Sequence, residues 1–499
     1  MQFSNKKKLL FFNSITGVVQ LVLTVALIFV CTPLFISVLG LEAFGAFGTV
    51  SVIGSLSSYA NLSLDSTLIK YISEQGKTRE SDYDIITSLI LLLLILVPLT
   101  IFVFVFKDFF LLTILKMPLD FLEPSRILLD CLLVANLVLL PGRIFTTILD
   151  VNHKIYLTNL YQFIYNLIYW GGIILVLTNG FGLEYVGFVV LVAAFVWFGL
   201  AVYSSLKIWG RFSVKGLKRN FGRIVRKQLK YSTKIYTGSL LNFFYEPLTK
   251  ILISNFLGLS YAAIYDITLR IKINLFSVYQ KLLYPIQPLI AQEQSRDRLK
   301  TLIEKVSQIF FYLVIPSAVI LLVCTKPIMT LWIGGDNIDL LTFSTVIMVC
   351  LSLLMVTTVT PIYIYLRLKN QPSKEIYVQG LNVVVNLLFI LVFYRSMGYY
   401  AIVLANAVSV LVSFLVLQYY QKKYLNFYSF SNWRELLRYI SVFGMILLFT
   451  ILFSLLFKEF SWINIILVFL FCGLISLTAF YFVKILKKED LFLFRKEEN

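Results

Sequence analysis

The chain has 499 residues, of which 59% are hydrophobic and only 14% charged, with a net charge of +18. Soluble globular proteins carry roughly 25% charged residues, so this composition excludes that class. The apolar residues form continuous runs, such as 85–106 and 440–457. Runs of roughly 20 residues cross a bilayer as α-helix, whereas the alternating pattern of a membrane β-barrel is missing. The sequence therefore predicts an all-α polytopic membrane protein.

About fourteen membrane-spanning helices are predicted along the chain. In chain order they cover residues 10–39, 45–72, 85–106, 125–148, 156–178, 187–205, 235–257, 262–290, 306–325, 341–366, 376–394, 400–420, 439–457 and 462–483. Most of the 44 Lys and Arg residues fall in alternate connections that include both termini. The other connections hold only Lys107, Lys116, Lys326, Arg395 and Lys458. The positive-inside rule therefore predicts that both termini are cytoplasmic.

Several classes of function are disfavoured by what the sequence lacks. The five cysteines lie far apart in apolar runs and the single histidine, His153, lies in a polar connection, so no metal site is expected. There is no GxxxxGK[ST] motif, which argues against a P-loop ATPase. The short outer connections hold no catalytic pair, so neither enzyme activity nor a cofactor is expected. The positive charge is concentrated in the connections predicted to be cytoplasmic, where it would lie next to anionic lipid headgroups. This placement argues against a nucleic-acid partner.

A repeated stretch indicates that the chain is duplicated. LGLEAFGAF at residues 39–47 lies between apolar runs, and LGLSYAAIY recurs in the same setting at residues 257–265. Two further pairs keep the same order and nearly the same spacing, namely Pro141 with Pro361 and Asn166 with Asn386. Because the repeat holds six spans, an even number, its two copies share one orientation, which makes it a parallel repeat. Glu42 has no acidic counterpart in the second copy and is expected to be a solvated charge.

Four regions follow from this repeat. We predict an N-lobe of six helices over residues 1–205, a basic cytoplasmic linker over 206–234, a C-lobe of six helices over 235–420, and two further helices with a cytoplasmic tail over 421–499. Two parallel lobes are the architecture that alternating access requires, with a central cavity between them.

The linker holds ten Lys and Arg residues and no acid, and it is interrupted by Gly210, Gly216 and Gly222. We expect an amphipathic segment that lies at the cytoplasmic surface. Its basic residues act either as a topological anchor or as an attractor for anionic lipid headgroups.

Polar side chains follow one face of the first span. They recur at helical spacing and comprise Asn13, Thr16, Gln20 and Thr24. Such a face either hydrogen-bonds to a neighbouring helix or lines the cavity.

Charged residues occur inside span 7, where they are costly and mark a candidate site. Glu246 and Lys250 are four residues apart, a favourable spacing for an ion pair, and Asn242 lies on the same face. Pro247 lies between the two charges and is expected to kink the helix.

Span 8 repeats this arrangement. Asp266 and Arg270 are again four residues apart, and the same face continues with Asn274 and Lys281. Since helices joined by a short turn are usually neighbours, we expect the four charges of spans 7 and 8 to form one cluster that faces the cavity. The alternative is a self-neutralised structural network.

Cations at several depths suit an anionic passenger, because arginine offers a bidentate fork to phosphate and lysine a point charge. The candidate substrate-binding residues are Lys250, Arg270, Lys272, Arg143, Lys70 and Lys281. The polar face of the cavity is assigned to Asn13, Gln20, Asn242 and Asn274. Asp65 and Asp130 are interpreted as charge partners or proton carriers. Lys70 and Lys281 are alternatively cations that extend to the membrane surface.

Residues 1–75 carry a family resemblance. A basic start is followed by NSITGVVQLVLTVALIFVCTPLFISVLGLEAFGAF at residues 13–47 and by the polar stretch SYANLSLDSTLIKYISE at residues 58–74. Together with the repeat, these features resemble the Wzx-type polysaccharide flippases, in the superfamily that also holds the MATE drug exporters and the lipid II flippases. Span 1 is polar but uncharged, unlike the arginine-rich start typical of lipid II flippases, which disfavours lipid II as the substrate.

The resemblance implies a flippase that moves undecaprenyl-pyrophosphate-linked repeat units of O-antigen or capsule outward across the bacterial inner membrane by alternating access. It implies coupling to H⁺ or Na⁺, with Asp65, Glu246 and Asp266 as candidate carriers. The implied partners are the polyprenyl-pyrophosphate-linked oligosaccharide, membrane lipid, a polysaccharide polymerase and chain-length proteins. Two alternatives stay open: a MATE-like cation or drug antiporter, and a membrane enzyme of polysaccharide assembly such as a polymerase.

Overall fold

The protein is a chain of long helices joined by short connections. The computed structural model describes residues 2–283, 290, 293, 295–368, 372–426 and 433–482, and within these ranges no residue lies in a β-strand. The helices are α1 (Gln2–Ser55), α2 (Leu64–Gln75), α3 (Arg79–Val105), α4 (Leu119–Val151), α5 (Ile155–Thr178), α6 (Leu183–Trp209), α7 (Leu217–Tyr245), α8 (Pro247–Leu257), α9 (Leu259–Leu283), α10 (Arg296–Trp332), α11 (Ile338–Thr345), α12 (Leu351–Leu368), α13 (Pro372–Met397), α14 (Tyr399–Leu425), α15 (Trp433–Ser454) and α16 (Trp462–Phe482). A 3₁₀ helix covers Leu56–Asn61, and π-helical turns cover Phe109–Ile114 and Val346–Cys350.

The helices confirm the predicted polytopic all-α membrane protein. Within the described ranges, ten helical segments are long and apolar enough to cross a membrane. The first of them, Ile15–Gln75, contains both legs of a hairpin and therefore covers two predicted spans. Large apolar side chains such as Leu94 and Leu175 are exposed on the helix surfaces. Lipid tails are as apolar as leucine, so this exposure is expected in a bilayer.

By its internal packing the chain divides into two units, Met1–Ala263 (unit 1) and Ile264–Asn499 (unit 2). A core of unit 1 joins α2 to α4 through the fully buried Leu64 and Ile144. In unit 2, one core joins α10, α12 and α14, and a second core packs α15 and α16 onto α10 around Phe480. Each unit thus has buried apolar contacts of its own.

The repeated stretch marks the same backbone turn in both of its copies. Gly40 lies at the bend inside α1 with φ 89° and ψ 163°, and Gly258 separates α8 from α9 with φ 99° and ψ 175°. Residues with a side chain rarely adopt such φ values, so both turns need glycine. The two turns also contact each other, because Ser260 Oγ donates to Glu42 Oε1 over 3.3 Å. Glu42 is exposed, as expected of a solvated charge.

Gly45 lies where the two hairpins of the repeat meet. A Cβ added at this position would overlap the carbonyl oxygen of Leu259. We therefore expect Gly45→Ala to lower the free energy of unfolding by about 1–3 kcal/mol, the usual cost of overpacking, in denaturant titrations of the detergent-solubilised protein. Gly171→Ala is the matched control, because a Cβ added to that helical glycine meets no neighbouring atom within 4 Å. Equal stability of the two variants would contradict the close packing.

The second predicted span, residues 45–72, is not one continuous helix. The 3₁₀ helix follows α1, and α2 begins only after Leu62 and Ser63, whose φ values are +46° and +58°. Serine and asparagine side chains can hydrogen-bond to nearby backbone groups, and these bonds compete with the backbone hydrogen bonds of a helix. Ser57 Oγ, for example, donates to the carbonyl of Gly54 over 3.0 Å. The local polar sequence therefore breaks a span that hydropathy alone predicts to be continuous.

The predicted linker is partly helical. Gly210 (φ 78°) follows α6 and Gly216 (φ 94°) precedes α7, so these two glycines interrupt the chain as predicted. Gly222 does not, because α7 continues through it into the first half of predicted span 7. A single glycine costs a helix only about 1 kcal/mol, which the rest of α7 offsets. Helix α8 then begins with Pro247, which confirms the predicted break.

Candidate functional site

A buried lysine lies in the short helix α8 of unit 1. Lys250 is 9% exposed, and its neighbours Thr249 and Ile253 are almost completely buried. The backbone N–H of Lys250 donates to the carbonyl of Glu246 over 3.1 Å, across the break before Pro247. A lysine in an apolar helix is costly, and ionisable residues inside spans are therefore rare and usually functional. The predicted site residue Lys250 is thus a buried cation next to a helix break.

Two irregular segments of unit 1 contact each other near this break. Tyr59 in the 3₁₀ helix and Phe243 in the last turn of α7 pack edge to face, with ring centroids 5.0 Å apart. Asn61 is only 7% exposed, and its Oδ1 has no hydrogen-bond partner in the part of the chain that the structure describes. Asn242 is exposed and Glu246 half-buried. Broken helices at membrane depth are tolerated where they are buried in protein or line a water-filled cavity.

In unit 2, the predicted pair on α9 is formed. Arg270 Nε donates to Asp266 Oδ2 over 2.7 Å, and the side chains are 23% and 6% exposed. Asn274 Nδ2 donates to the carbonyl of Arg270 over 2.8 Å, so the three residues lie along one face of α9. Lys272 is half-buried. The side chain of Lys281, at the end of α9, lies outside the described residues.

The polar face of the first span contacts α5 in unit 1. Asn13 Nδ2 donates to the carbonyl of His153 over 3.1 Å, and Asn13 Oδ1 accepts the N–H of Tyr156 over 3.0 Å. Further along, Asn166 Nδ2 donates to Thr24 Oγ1 over 2.7 Å, and the same hydroxyl accepts from Gln20 Nε2 over 3.1 Å. These bonds correspond to the first of the two interpretations of this face, hydrogen bonding between neighbouring helices.

The two predicted cations of the first half lie on different helices. Arg143 is an exposed residue of α4, eight positions from the helix end at Val151, or about 12 Å at 1.5 Å per residue. Lys70 on α2 is half-buried, and its Nζ lies 4.2 Å from the ring centroid of Tyr231 on α7, a cation–π contact. Among the described residues, the structure shows no contact that Lys70 and Arg143 share.

The carboxylates of unit 1 have local partners. Asp65 Oδ1 accepts the N–H of Ser66 over 2.8 Å at the start of α2. Asp130 on α4 forms an ion pair with Lys107 over 2.7 Å, which fits the interpretation of Asp130 as a charge partner. Among the described residues, no three His, Cys, Asp or Glu side chains are grouped so that they could hold a metal ion.

Sequence reasoning missed a set of contacts that holds the linker. Every second residue at the start of α3 is acidic, namely Glu80, Asp82 and Asp84. We call the contacts of these three acids with residues 209–228 the linker clamp. The side chain of Asp84 is fully buried and pairs with Lys227 Nζ over 2.9 Å. Gln228 Nε2 donates to the carbonyl of Asp84 over 2.8 Å. Asp84 is therefore the buried anchor of α7.

The other two acids of the linker clamp hold the chain before and within α7. Asp82 accepts the indole N–H of Trp209 over 2.7 Å and the backbone N–H of Ser213 over 2.9 Å. Glu80 pairs with Arg223 over 3.3 Å at an exposed position. The signal was present in the sequence as RESDYD at residues 79–84, opposite a linker with no acid of its own.

Comparison with known protein families identifies the chain's relatives. The family model described as polysaccharide biosynthesis protein matches residues 13–287, more than half of the chain. The chain belongs to this family. The matched residues cover most of α1 and all of α2 to α9, including both copies of the repeated turn. No curated protein matches the sequence.

The chain shares its fold with solved flippases and transporters. The lipid II flippase MurJ in an inward closed conformation is similar with a TM-score of 0.74 at 15% identity, over 95% of this chain and 100% of that chain. An inward-facing MATE multidrug transporter of the MOP superfamily has a TM-score of 0.61 at 17% identity, over 82% of this chain and 99% of that chain. A variant of the Vibrio cholerae MATE transporter VcmN has a TM-score of 0.60 at 13% identity, over 84% of this chain and 98% of that chain. Family and fold together confirm the predicted resemblance to the polysaccharide exporters of this superfamily.

Proposed function

We propose that the protein is a flippase for polyprenyl-pyrophosphate-linked oligosaccharides, the repeat units of O-antigen or capsular polysaccharide. The observation that carries this proposal is the buried cation Lys250 in a membrane-spanning protein of a polysaccharide biosynthesis family. A cation held within the bilayer compensates an anionic cargo that would otherwise be costly to move across it. The fold shared with flippases and transporters supports movement of a substrate rather than its synthesis.

The pyrophosphate is the part of the substrate that the cations would bind. Lysine supplies a point charge and arginine a planar fork that matches phosphate oxygens, so Lys250 and Arg270 are the principal candidates. The same role is proposed for the remaining cations of the set, Lys272, Arg143, Lys70 and Lys281. The isoprenoid tail would stay in lipid while the lobes alternate between inward and outward access.

The sugars need hydrogen-bonding partners rather than charge. Among the polar candidates, Asn242 is exposed on the last turns of α7 and Asn274 continues the face of the ion pair on α9. Asn13 and Gln20 already bond to α5 or to Thr24, so we assign them a supporting role at the wall of the N-lobe.

Coupling to H⁺ or Na⁺ is part of the proposal, with Asp65, Glu246 and Asp266 as candidate carriers. Glu246 lies at the helix break and Asp266 within the ion pair of α9, so both adjoin a proposed phosphate-binding cation. Flipping in energised vesicles that stops when only the proton gradient or only the sodium gradient is collapsed would identify the ion. Flipping that survives the loss of both gradients would contradict coupling.

The function is tested by locating the lipid-linked repeat unit in a deletion strain. Without the protein, we expect the units to accumulate where a membrane-impermeant lectin cannot reach them in spheroplasts, and surface polymer to be lost. Expression of the full chain should restore both readouts. Unpolymerised units that already lie outside in the deletion strain would favour the polymerase alternative. Resistance to cationic drugs with unchanged polysaccharide would favour the antiporter alternative.

A further inference from the structure

A groove in unit 2 opens between the start of α13 and the end of α14. Its volume is about 600 Å³, within the range of roughly 300–1,000 Å³ typical of ligand sites. The residues that line it and enter the argument are Lys374, Tyr377, Leu415, Val416, Tyr419 and Tyr420. The groove thus combines one cation, three tyrosines and an apolar wall.

One end of the groove is cationic. Lys374 lies in the first turn of α13, where backbone N–H groups lack helical partners and favour anions. Its side chain makes no ion pair with any residue that the structure describes. A second cation is close, since Lys423 Nζ lies 5.9 Å from the ring centroid of Tyr419. The acidic neighbour Glu375 is buried and does not line the groove.

The other end of the groove is apolar and faces outward. Leu415 is 64% exposed, and Leu411, one turn earlier on α14, is also exposed. On α13, Tyr377, Val384 and Leu388 fall on one helical face and are each more than half exposed. Exposed apolar side chains on membrane-spanning helices face lipid chains, so the groove connects a cationic mouth to a lipid-facing surface.

We propose that this groove binds an anionic glycerophospholipid of the cytoplasmic leaflet. The phosphate would lie against Lys374 and the first turn of α13, the glycerol region against the tyrosines, and an acyl chain along Leu415 and Val416. Charge complementarity selects an anionic lipid, because each lysine near an anionic headgroup attracts it. Tyrosines at such a boundary are typical of the membrane interface, where an apolar ring and a polar hydroxyl are both satisfied.

Native mass spectrometry of the detergent-solubilised full chain tests the site with dioleoyl phosphatidylglycerol and dioleoyl phosphatidylcholine as probes. Lys374→Ala should weaken phosphatidylglycerol binding about fivefold and leave phosphatidylcholine binding unchanged. The matched control is Lys458→Ala, since Lys458 is an exposed lysine in the connection between α15 and α16. Equal phosphatidylglycerol binding by the two variants would overturn the proposal.

A second pair of variants tests the groove without changing charge. Leu415→Trp fills the apolar end and should reduce phosphatidylglycerol binding, whereas Leu388→Trp places the same ring at an exposed position that does not line the groove. An equal effect of both substitutions would argue against a discrete site. Competition by farnesyl pyrophosphate that depends on Lys374 would assign the groove to the transported lipid and would overturn the proposal.

Discussion

Lys250→Ala is expected to remove most surface polysaccharide from a strain that depends on this protein for the polymer. A hydrogen bond to a charged group contributes about 1.5–3 kcal/mol, so flipping should fall roughly ten- to hundredfold. Lys250→Met keeps the apolar stem and removes the charge, and it should show the same loss, whereas Lys250→Arg should retain function. Quantitative gels of surface polymer, at matched protein level in the membrane, provide the measurement.

The control for this prediction is Lys458→Ala, which removes a lysine from an exposed connection. Wild-type polymer levels are expected for it. Polysaccharide at the wild-type level in Lys250→Met would show that the charge is not needed, and Lys250 would then no longer be a candidate for binding the pyrophosphate.

Arg270 is tested with its ion-pair partner. If Arg270 only compensates Asp266, the double variant Asp266→Asn/Arg270→Gln should regain the polymer that Arg270→Gln alone loses. If Arg270 also binds the substrate, the double variant should remain defective. We expect the defect to remain.

Asp84→Ala is expected to destabilise the protein by about 2 kcal/mol. Breaking a buried ion pair costs about 3–5 kcal/mol, and the 25% exposure of the Lys227 side chain reduces that value. The loss should appear as a lower free energy of unfolding in detergent. It should also appear as faster proteolysis at residues 210–216, because the start of α7 would no longer be anchored to α3.

Glu80→Ala is the matched control for this second prediction. Its pair with Arg223 belongs to the same linker clamp but is exposed, with side chains 45% and 66% accessible, and such pairs contribute about 0–1 kcal/mol. The double variant Asp84→Ala/Lys227→Met should recover part of the loss, because no buried charge is left without its partner. Equal destabilisation by Asp84→Ala and Glu80→Ala would contradict the anchoring role of Asp84.

Most of the helical architecture could be predicted from the sequence. Long apolar runs, the two glycine turns and the break at Pro247 all depend on a few consecutive residues, and each is present in the structure. The gap between α1 and α2 was missed, because hydropathy averages over a window in which a few polar residues hardly count. Local side-chain bonds to the backbone, such as the one from Ser57 to the carbonyl of Gly54, compete with the helix there.

The candidate site was predictable only in part. Helical spacing identified the pair of Asp266 and Arg270, because residues four apart on one helix are neighbours whatever surrounds them. The same spacing placed Asn13 and Gln20 on one face but could not identify the helix they meet. The structure places α5 there.

That this protein is a multi-pass helical membrane protein with a repeated hairpin could be read from its sequence, because hydropathy and glycine turns are local properties. The partners of charges that meet across different helices depend on the tertiary structure. Asp84 and Lys227 are 143 positions apart, and nothing in the spacing of the chain indicates that they meet. Such contacts form because burying a charge requires a partner, and which partner is within reach depends on how the helices pack.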